Sequence, residues 1–241
     1  MRTVPVLSAA EAAQLIDDSV VITVSSSSGL GCPDAVLKAI GQRYEETGSP
    51  ANLTTLHPIA AGDMYGIKGI DHLCRPGQLR RVLAGSYPSG SSKLDPPLIR
   101  QLIHNDQIQA LNIPSGVLFQ MHRAASTGQP GVLTEVGLGT YADPRLEGAK
   151  MNAVTDDFIE LMQIDGNDYL FYPAVDVDVA IIRATTADPH GNLSYEEECS
   201  TLGALDQAYA AHNKGGIVIA QVKRLSEDQL PTQHVHIPGI L

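Results

Sequence analysis

The chain has 241 residues, 43% of them apolar and 18% charged, with 16 basic against 27 acidic side chains and a net charge of −11. That length can bury one sizeable core, and that balance argues against nucleic acid or an anionic membrane as partner, since both need a basic footprint. No apolar run approaches the roughly 18 residues of a membrane-spanning helix, and the three cysteines, Cys32, Cys74 and Cys199, are too widely spaced for a disulfide framework or a Cys-x-x-Cys metal site, which points to a reducing cytoplasm.

From Met1 and Arg2 onward the start lacks the apolar core of a signal peptide. Ser8 and Glu11 form a capping box for a helix through Ala12, Leu15 and Ile16. A β-branched run over 20–24 predicts a buried strand, and Pro33 then opens a helix to about 46 with Val36, Leu37 and Ile40 on one face. Between them lie Ser25, Ser26, Ser27, Ser28 and Gly29. Small residues at the positive end of a coming helix read either as an anion cradle or as a plain capped turn. The segment matches neither of the common glycine-rich phosphate loops. Further strands are expected over 53–56, 81–85, 109–113, 178–186 and 216–222, with helices over 97–105, 118–125 and 202–213. Strands alternating with helices predict an α/β fold, an open and mainly parallel sheet with helices on both faces. Residues 134–176 break this rhythm with dense turn signals, including Gly137, Gly139 and Thr140, and predict a small irregular β insertion.

Four other features read as structural. The run Glu196, Glu197 and Glu198 is a solvated acidic stretch in preference to a nucleophile. His234 and His236 alternate as on a strand, with no third ligand, so no metal site is expected. Cys32 is a buried thiol. Arg183, in a buried strand, must be ion-paired, with Asp188 or Asp143 as candidate partners.

The ordered set Gly137-Leu138-Gly139-Thr140 with Asp143-Pro144-Arg145, Tyr169-Leu170-Phe171-Tyr172-Pro173, Ile182-Arg183-Ala184-Thr185-Thr186-Ala187-Asp188, Gly191-Asn192, Gly215-Gly216 and Val235-His236-Ile237-Pro238-Gly239 resembles the family I coenzyme A-transferases. The likeness is to the fused single-chain branch acting on short acyl groups such as acetate, propionate or acetoacetate, and it runs from Val4 to Leu241. It implies a ping-pong transfer in which a glutamate carboxylate attacks an acyl-CoA, forms an acyl-glutamyl anhydride and then a glutamyl-CoA thioester, and passes CoA to a second acid. No cofactor is implied, because CoA is a substrate.

In that family the nucleophilic glutamate lies in a second, β-type half. No segment here matches its motif, so residues 1–241 correspond to a single α-type domain. The resemblance then implies no catalytic nucleophile in this chain, a partner in the form of a β-type domain or subunit, and a homo-oligomeric assembly. The substrate-side residues are Ser25, Ser26, Ser27, Ser28 and Gly29, Ser115 and Gly116, and Gly137, Gly139 and Thr140. Three departures fall among or beside them. Serines replace a glycine-rich loop, Pro114-Ser115-Gly116 stands where the family supplies a glutamine amide, and Ala84-Gly85-Ser86-Tyr87 lacks the histidine of close relatives. The alternatives are a sugar-phosphate isomerase holding phosphate on the serine loop, or a non-catalytic subunit with a degenerate site.

Overall fold

A strand apolar on both faces needs a helix layer on each side, and residues 179–184 (Val-Ala-Ile-Ile-Arg-Ala) meet that condition over most of their length. In the computed structural model, which describes residues 3–89 and 96–241, this segment lies inside a seven-stranded sheet, with a parallel neighbour on each side. Met1 and Arg2, which open the segment tested for a signal-peptide pattern, lie outside the described residues.

The elements in chain order are α1 (Ala9–Ala13), β1 (Val21–Val24), α2 (Asp34–Thr47), β2 (Leu53–His57), β3 (Leu79–Ala84), α3 (Leu98–His104), β4 (Gln109–Asn112), α4 (Ser115–Ser126), β5 (Gly131–Thr134), β6 (Glu160–Ile164), β7 (Asn167–Pro173), β8 (Val179–Ala187), β9 (Leu193–Ser194), α5 (Ala204–His212) and β10 (Ile217–Leu225). The main sheet runs β10-β8-β1-β2-β3-β4 with every pair on that path parallel, and β9 adds antiparallel to β8.

Alternation along the strands fills a core on each face. Ile22, Val24, Val179 and Ile181 pack with Val36, Leu37 and Ile40 of α2 and Ile99 and Leu102 of α3. On the opposite face Ala180, Ile182 and Ala184 meet Ala204, Ala208 and Ala211 of α5, and Leu56, Leu83 and Leu111 meet Val117, Leu118 and Met121 of α4. The expected layered α/β architecture is therefore present.

The irregular section is a second, antiparallel sheet in the order β5-β7-β6. It begins at Gly131, earlier than expected, because Val132 and Thr134 pair with Tyr172 and Leu170 of β7. Residues 149–151 then run beside β4, where Asn112 N–H donates to Ala149 O (2.8 Å) and Met151 N–H to Ala110 O (3.0 Å), so the insertion covers that edge of the main sheet. Helix α4 starts at Ser115, three residues before the apolar periodicity signals it. That puts Ser115 and Gly116 inside the first helical turn.

Candidate functional site

The parallel strands end along one edge, and the sheet order reverses between β1 and β8. From β1 the chain steps outward through β2, β3 and β4, then returns to place β8 and β10 on the other side. Open α/β sheets bind ligands at the carboxyl ends of the strands where such a reversal occurs.

Ser25 stands at that point. Its N–H donates to Ile181 O (3.1 Å), and its hydroxyl accepts from Arg183 N–H (3.1 Å). The Ser26 hydroxyl donates to Ala60 O (3.1 Å), which also receives Ser28 N–H (2.7 Å). Ser27 and Leu30 exchange backbone hydrogen bonds of 2.9 and 3.0 Å, closing a tight turn in which Ser28 takes φ +55°. A serine therefore accepts the left-handed conformation that a glycine would adopt without steric cost.

The loops after the next strands lock onto this one. Ala60 N–H donates to the Ser86 hydroxyl (2.9 Å). A Cβ on Gly85 would lie 2.1 Å from Pro58 O and 2.2 Å from Ser115 Oγ, so the loop after β3 passes directly against the start of α4. The structure thus joins the serine loop and Ser115 along one edge through residues 57–61 and 84–86.

The positive end of α2 differs from the open cradle read from the sequence. The Gln221 side chain of β10 sets its amide oxygen on Ala35 N–H (3.1 Å) and Val36 N–H (3.3 Å). The Asp63 carboxylate packs against Gly29, where a Cβ would lie 2.4 Å from Oδ2. Gln221 thus occupies two N–H donors of the first turn and a carboxylate lies beside Gly29, which argues against the phosphate-holding alternative. Cys32 beside this helix is buried, and burial pushes its thiol up to about 12, with Asp34 pushing the same way. It is a structural thiol, as expected.

Arg183 is paired, but with neither candidate partner. Its Nε donates to Glu198 Oε1 (3.0 Å). Asp188 is engaged by the N–H groups of His190, Asn192 and Leu230 (2.9–3.0 Å) and by Asn192 Nδ2 (2.7 Å), which close its own loop. Asp143 is held by Arg145.

The acidic run is likewise not merely solvated. Glu196 accepts from Ser194, Thr186 and Arg224, and Glu197 from Lys223 and Arg224. Burial raises the Glu196 pKa, but the Ser194 and Thr186 hydroxyls and Arg224 hold it at about 2. Sequence reasoning missed this because the basic partners come from β10, some 27 residues away in the chain. The two histidines near the end do not share a strand face. Pro231 starts a 3-10 turn, Thr232–His234, and His236 sets Nδ1 within 3.0 Å of His234 O.

Gly137, Gly139 and Thr140 form a turn bound within the insertion. Thr140 Oγ1 donates to Gly137 O (2.7 Å), Gly139 N–H donates to Asp143 (2.9 Å), and the Tyr172 hydroxyl donates to Val136 O (2.9 Å). Gly137 has φ +107°, and a Cβ there would meet the Tyr172 hydroxyl at 2.5 Å, so the position requires glycine. This turn packs with α4 through Leu138 and Ala142, on one face of the sheet, whereas the serine loop caps the sheet edge.

His57 was not singled out from the sequence. It ends β2 with its ring fully buried, Nδ1 3.1 Å from Ile59 O and the ring edge-on to Tyr87 at 6.1 Å. Burial brings its pKa down to about 4. The available signal was a histidine closing a wholly apolar and Thr run directly before Pro58.

A mainly parallel open sheet, with the loops after β1, β2 and β3 and the start of α4 interlocked along its strand ends, defines the class as an α/β domain. The Coenzyme A transferase family model matches residues 6–241, and the chain belongs to that family. Acetate CoA-transferase YdiF of Escherichia coli O157:H7 is 40% identical over 242 residues, covering 99% of this chain and 44% of its own length. The crystal structure of that YdiF as a thioester complex with CoA superposes with a TM-score of 0.90 at 38% identity, over 98% of this chain and 46% of that one. Caffeate CoA-transferase of Acetobacterium woodii is 39% identical over 237 residues, 98% of this chain and 44% of its own length. The alpha subunit of an acetate CoA-transferase of Escherichia coli (strain K12) is 25% identical over 223 residues, 92% of this chain and 87% of its own length. The chain thus spans less than half the length of YdiF and the caffeate enzyme, and most of the length of that single alpha subunit.

Proposed function

We propose that this chain is the α-type half of an acyl-CoA:carboxylate CoA-transferase, moving CoA between a short-chain acyl-CoA and a carboxylic acid. The observation that carries the reading is the close superposition, over 98% of the chain, on a transferase captured as a thioester with CoA. The nucleophilic glutamate and the glutamyl-CoA intermediate belong to a β-type domain or subunit, and the pair assembles into an oligomer. CoA serves as substrate, and no further cofactor takes part.

In this reading Ser25, Ser26, Ser27, Ser28 and Gly29, with Ser115 and Gly116, wall the acyl side of the site. Gly137, Gly139 and Thr140 fix the insertion that flanks it. Ser115 offers a hydroxyl where the family resemblance implies a glutamine amide, so in this reading it is the group that would answer charge developing on the acyl oxygen. Relatives near 40% identity act on acetate in one case and caffeate in another by name, which leaves the acyl group to be set by such local differences. The three cysteines are free thiols, in keeping with the reducing cytoplasm as its compartment.

Mixing the chain with its β-type half and following exchange of CoA from acetyl-CoA to propionate tests the proposal. Exchange is expected from the mixture and from neither part alone. A mixture that forms a stable complex yet exchanges no CoA with any short-chain acid would leave the non-catalytic reading, and phosphosugar turnover by the chain alone would restore the isomerase reading.

A further inference from the structure

The Ser25 and Ser26 hydroxyls and the start of α2 are engaged by protein groups, and Arg183 places a cation at the β1–β8 reversal. Its backbone N–H is fixed to the Ser25 hydroxyl at 3.1 Å, and its neighbour across β10 in register is Gln221. Along β8 it interrupts a strand of Val, Ala, Ile and Thr. A charge so placed costs stability unless a partner offsets it, and such a position is commonly a functional one.

The way it is paired matters. Arg145 grips Asp143 at two points, Nε to Oδ1 at 2.9 Å and Nη2 to Oδ2 at 2.7 Å, the fork by which a guanidinium matches a carboxylate. Among the described residues, Arg183 meets Glu198 through Nε alone. The Nη1–Nη2 edge is the side a second carboxylate would take. Glu198 is 10% exposed and Arg183 31%, so the pair is shielded on the protein side and open on the other. Glu198 sits in the connection from β9 to α5, which lies over the serine loop. There Leu202 packs on Gly31, with its Cδ1 2.7 Å from where a Cβ would stand. Cys199, Ser200 and Thr201 in this connection are exposed, so Glu198 can shift without disturbing the sheet.

We propose that Arg183 recognises the carboxylate of the acid substrate through its Nη1–Nη2 edge at the reversal-point site, and that Glu198, held on Nε, is an internal carboxylate that offsets the guanidinium charge and competes with substrate for it. The inference rests on the transferase reading. A free acid carries the two-oxygen anion that fits the guanidinium fork, whereas its CoA thioester does not. Arg183 therefore binds the acid and releases the acyl product, while Glu198 on Nε keeps the guanidinium paired between turnovers.

The test uses the ¹⁵N-labelled chain and the Arg183 Nε–H resonance, titrated with sodium propionate, with propionamide, and with sodium chloride at matched ionic strength. A saturable shift is expected with propionate alone. E198Q, which removes the competing charge, is expected to tighten propionate binding about fivefold, the equivalent of a modest ion pair. R183Q is expected to abolish the propionate-dependent shifts at Ser25 and Gln221 while the far-ultraviolet circular dichroism stays unchanged. An Arg183 signal unmoved by propionate, an E198Q chain with wild-type affinity, or an R183Q chain that binds as well as wild type would each overturn the inference. In the mixture with the β-type half, R183Q exchange at an unchanged KM for the acid would overturn this inference alone. Absent exchange in the wild-type mixture would instead strike the transferase reading.

Discussion

Two glycines show how far a single residue's role depends on its surroundings. Gly85 has no room for a side chain, with Pro58 O and Ser115 Oγ at 2.1 and 2.2 Å from a Cβ, whereas Gly116 has nothing within 4 Å. Gly85→Ala must push the loop after β3 away from the start of α4. It is expected to cost roughly 1–3 kcal/mol in a urea titration and to weaken exchange in the mixture with the β-type half. Gly116→Ala, in the exposed first turn of α4, is expected to leave stability unchanged or raise it by up to about 1 kcal/mol. Both glycines stand in the sequence with no sign of this difference, since the atoms that crowd Gly85 come from residues 58 and 115.

At the scale of elements, the cap of α2 and the frame of the insertion are the informative cases. Helix α2 begins without a side-chain cap of its own, and Gln221 supplies one from β10. Gln221→Ala leaves Ala35 N–H and Val36 N–H without that acceptor, so a loss of about 1 kcal/mol is expected, read as a lower urea midpoint with unchanged slope. In the insertion, Asp143 is buried, and the Arg145 side chain, Gly139 N–H and Arg145 N–H hold its carboxyl well below the usual carboxylate range. Asp143→Asn breaks the two-point contact with Arg145. Faster amide exchange is expected across β5, β6 and β7, with the main sheet unaffected, because these three strands bond to one another while the bonds to β4 come from residues 149–156. Loss of protection in β1 and β8 as well would show that the two sheets unfold as one.

Across the whole molecule, two fully buried histidines lie on opposite faces of the sheet. His57 faces the α2 side beside Tyr87, and His122 of α4 sets Nε2 2.8 Å from Thr23 Oγ1 on the other face. Burial lowers both from 6.5 to about 4, so each binds a proton more readily in the unfolded chain. Their contribution is therefore complete above about pH 6.5 and is lost as pH falls from there toward 4. Each amounts to roughly 3 kcal/mol over that window, the product of the shift and 1.36 kcal/mol per unit. His122→Gln is expected to reduce the slope of stability against pH between 6 and 4.5, measured by urea midpoints at stepped pH. An unchanged slope would mean that the acid sensitivity arises elsewhere.

Much of this was legible in the chain itself. Apolar runs of strand length alternating with 3.6-residue periodicity fixed the layered sheet, since burial pattern is a local property of the sequence. The turn-dense middle section announced an insertion for the same reason, and ordered motifs from Gly137 to Gly239 carried the resemblance to the transferase family. Boundaries slipped where a terminus is set by tertiary contact, as at Ser115, or where pairing is antiparallel and short, as in β5, and the two-residue β9 was not expected at all. Partnership was decided in three dimensions alone. Arg183 turned from Asp188 and Asp143 to Glu198, the acidic run found its cations on β10, and the helix start that looked open to an anion was closed by Gln221. Each of these depends on which strand lies beside which, and a one-dimensional pattern does not encode that order. The sequence determined the fold and the family, while packing decided which charged groups pair with which.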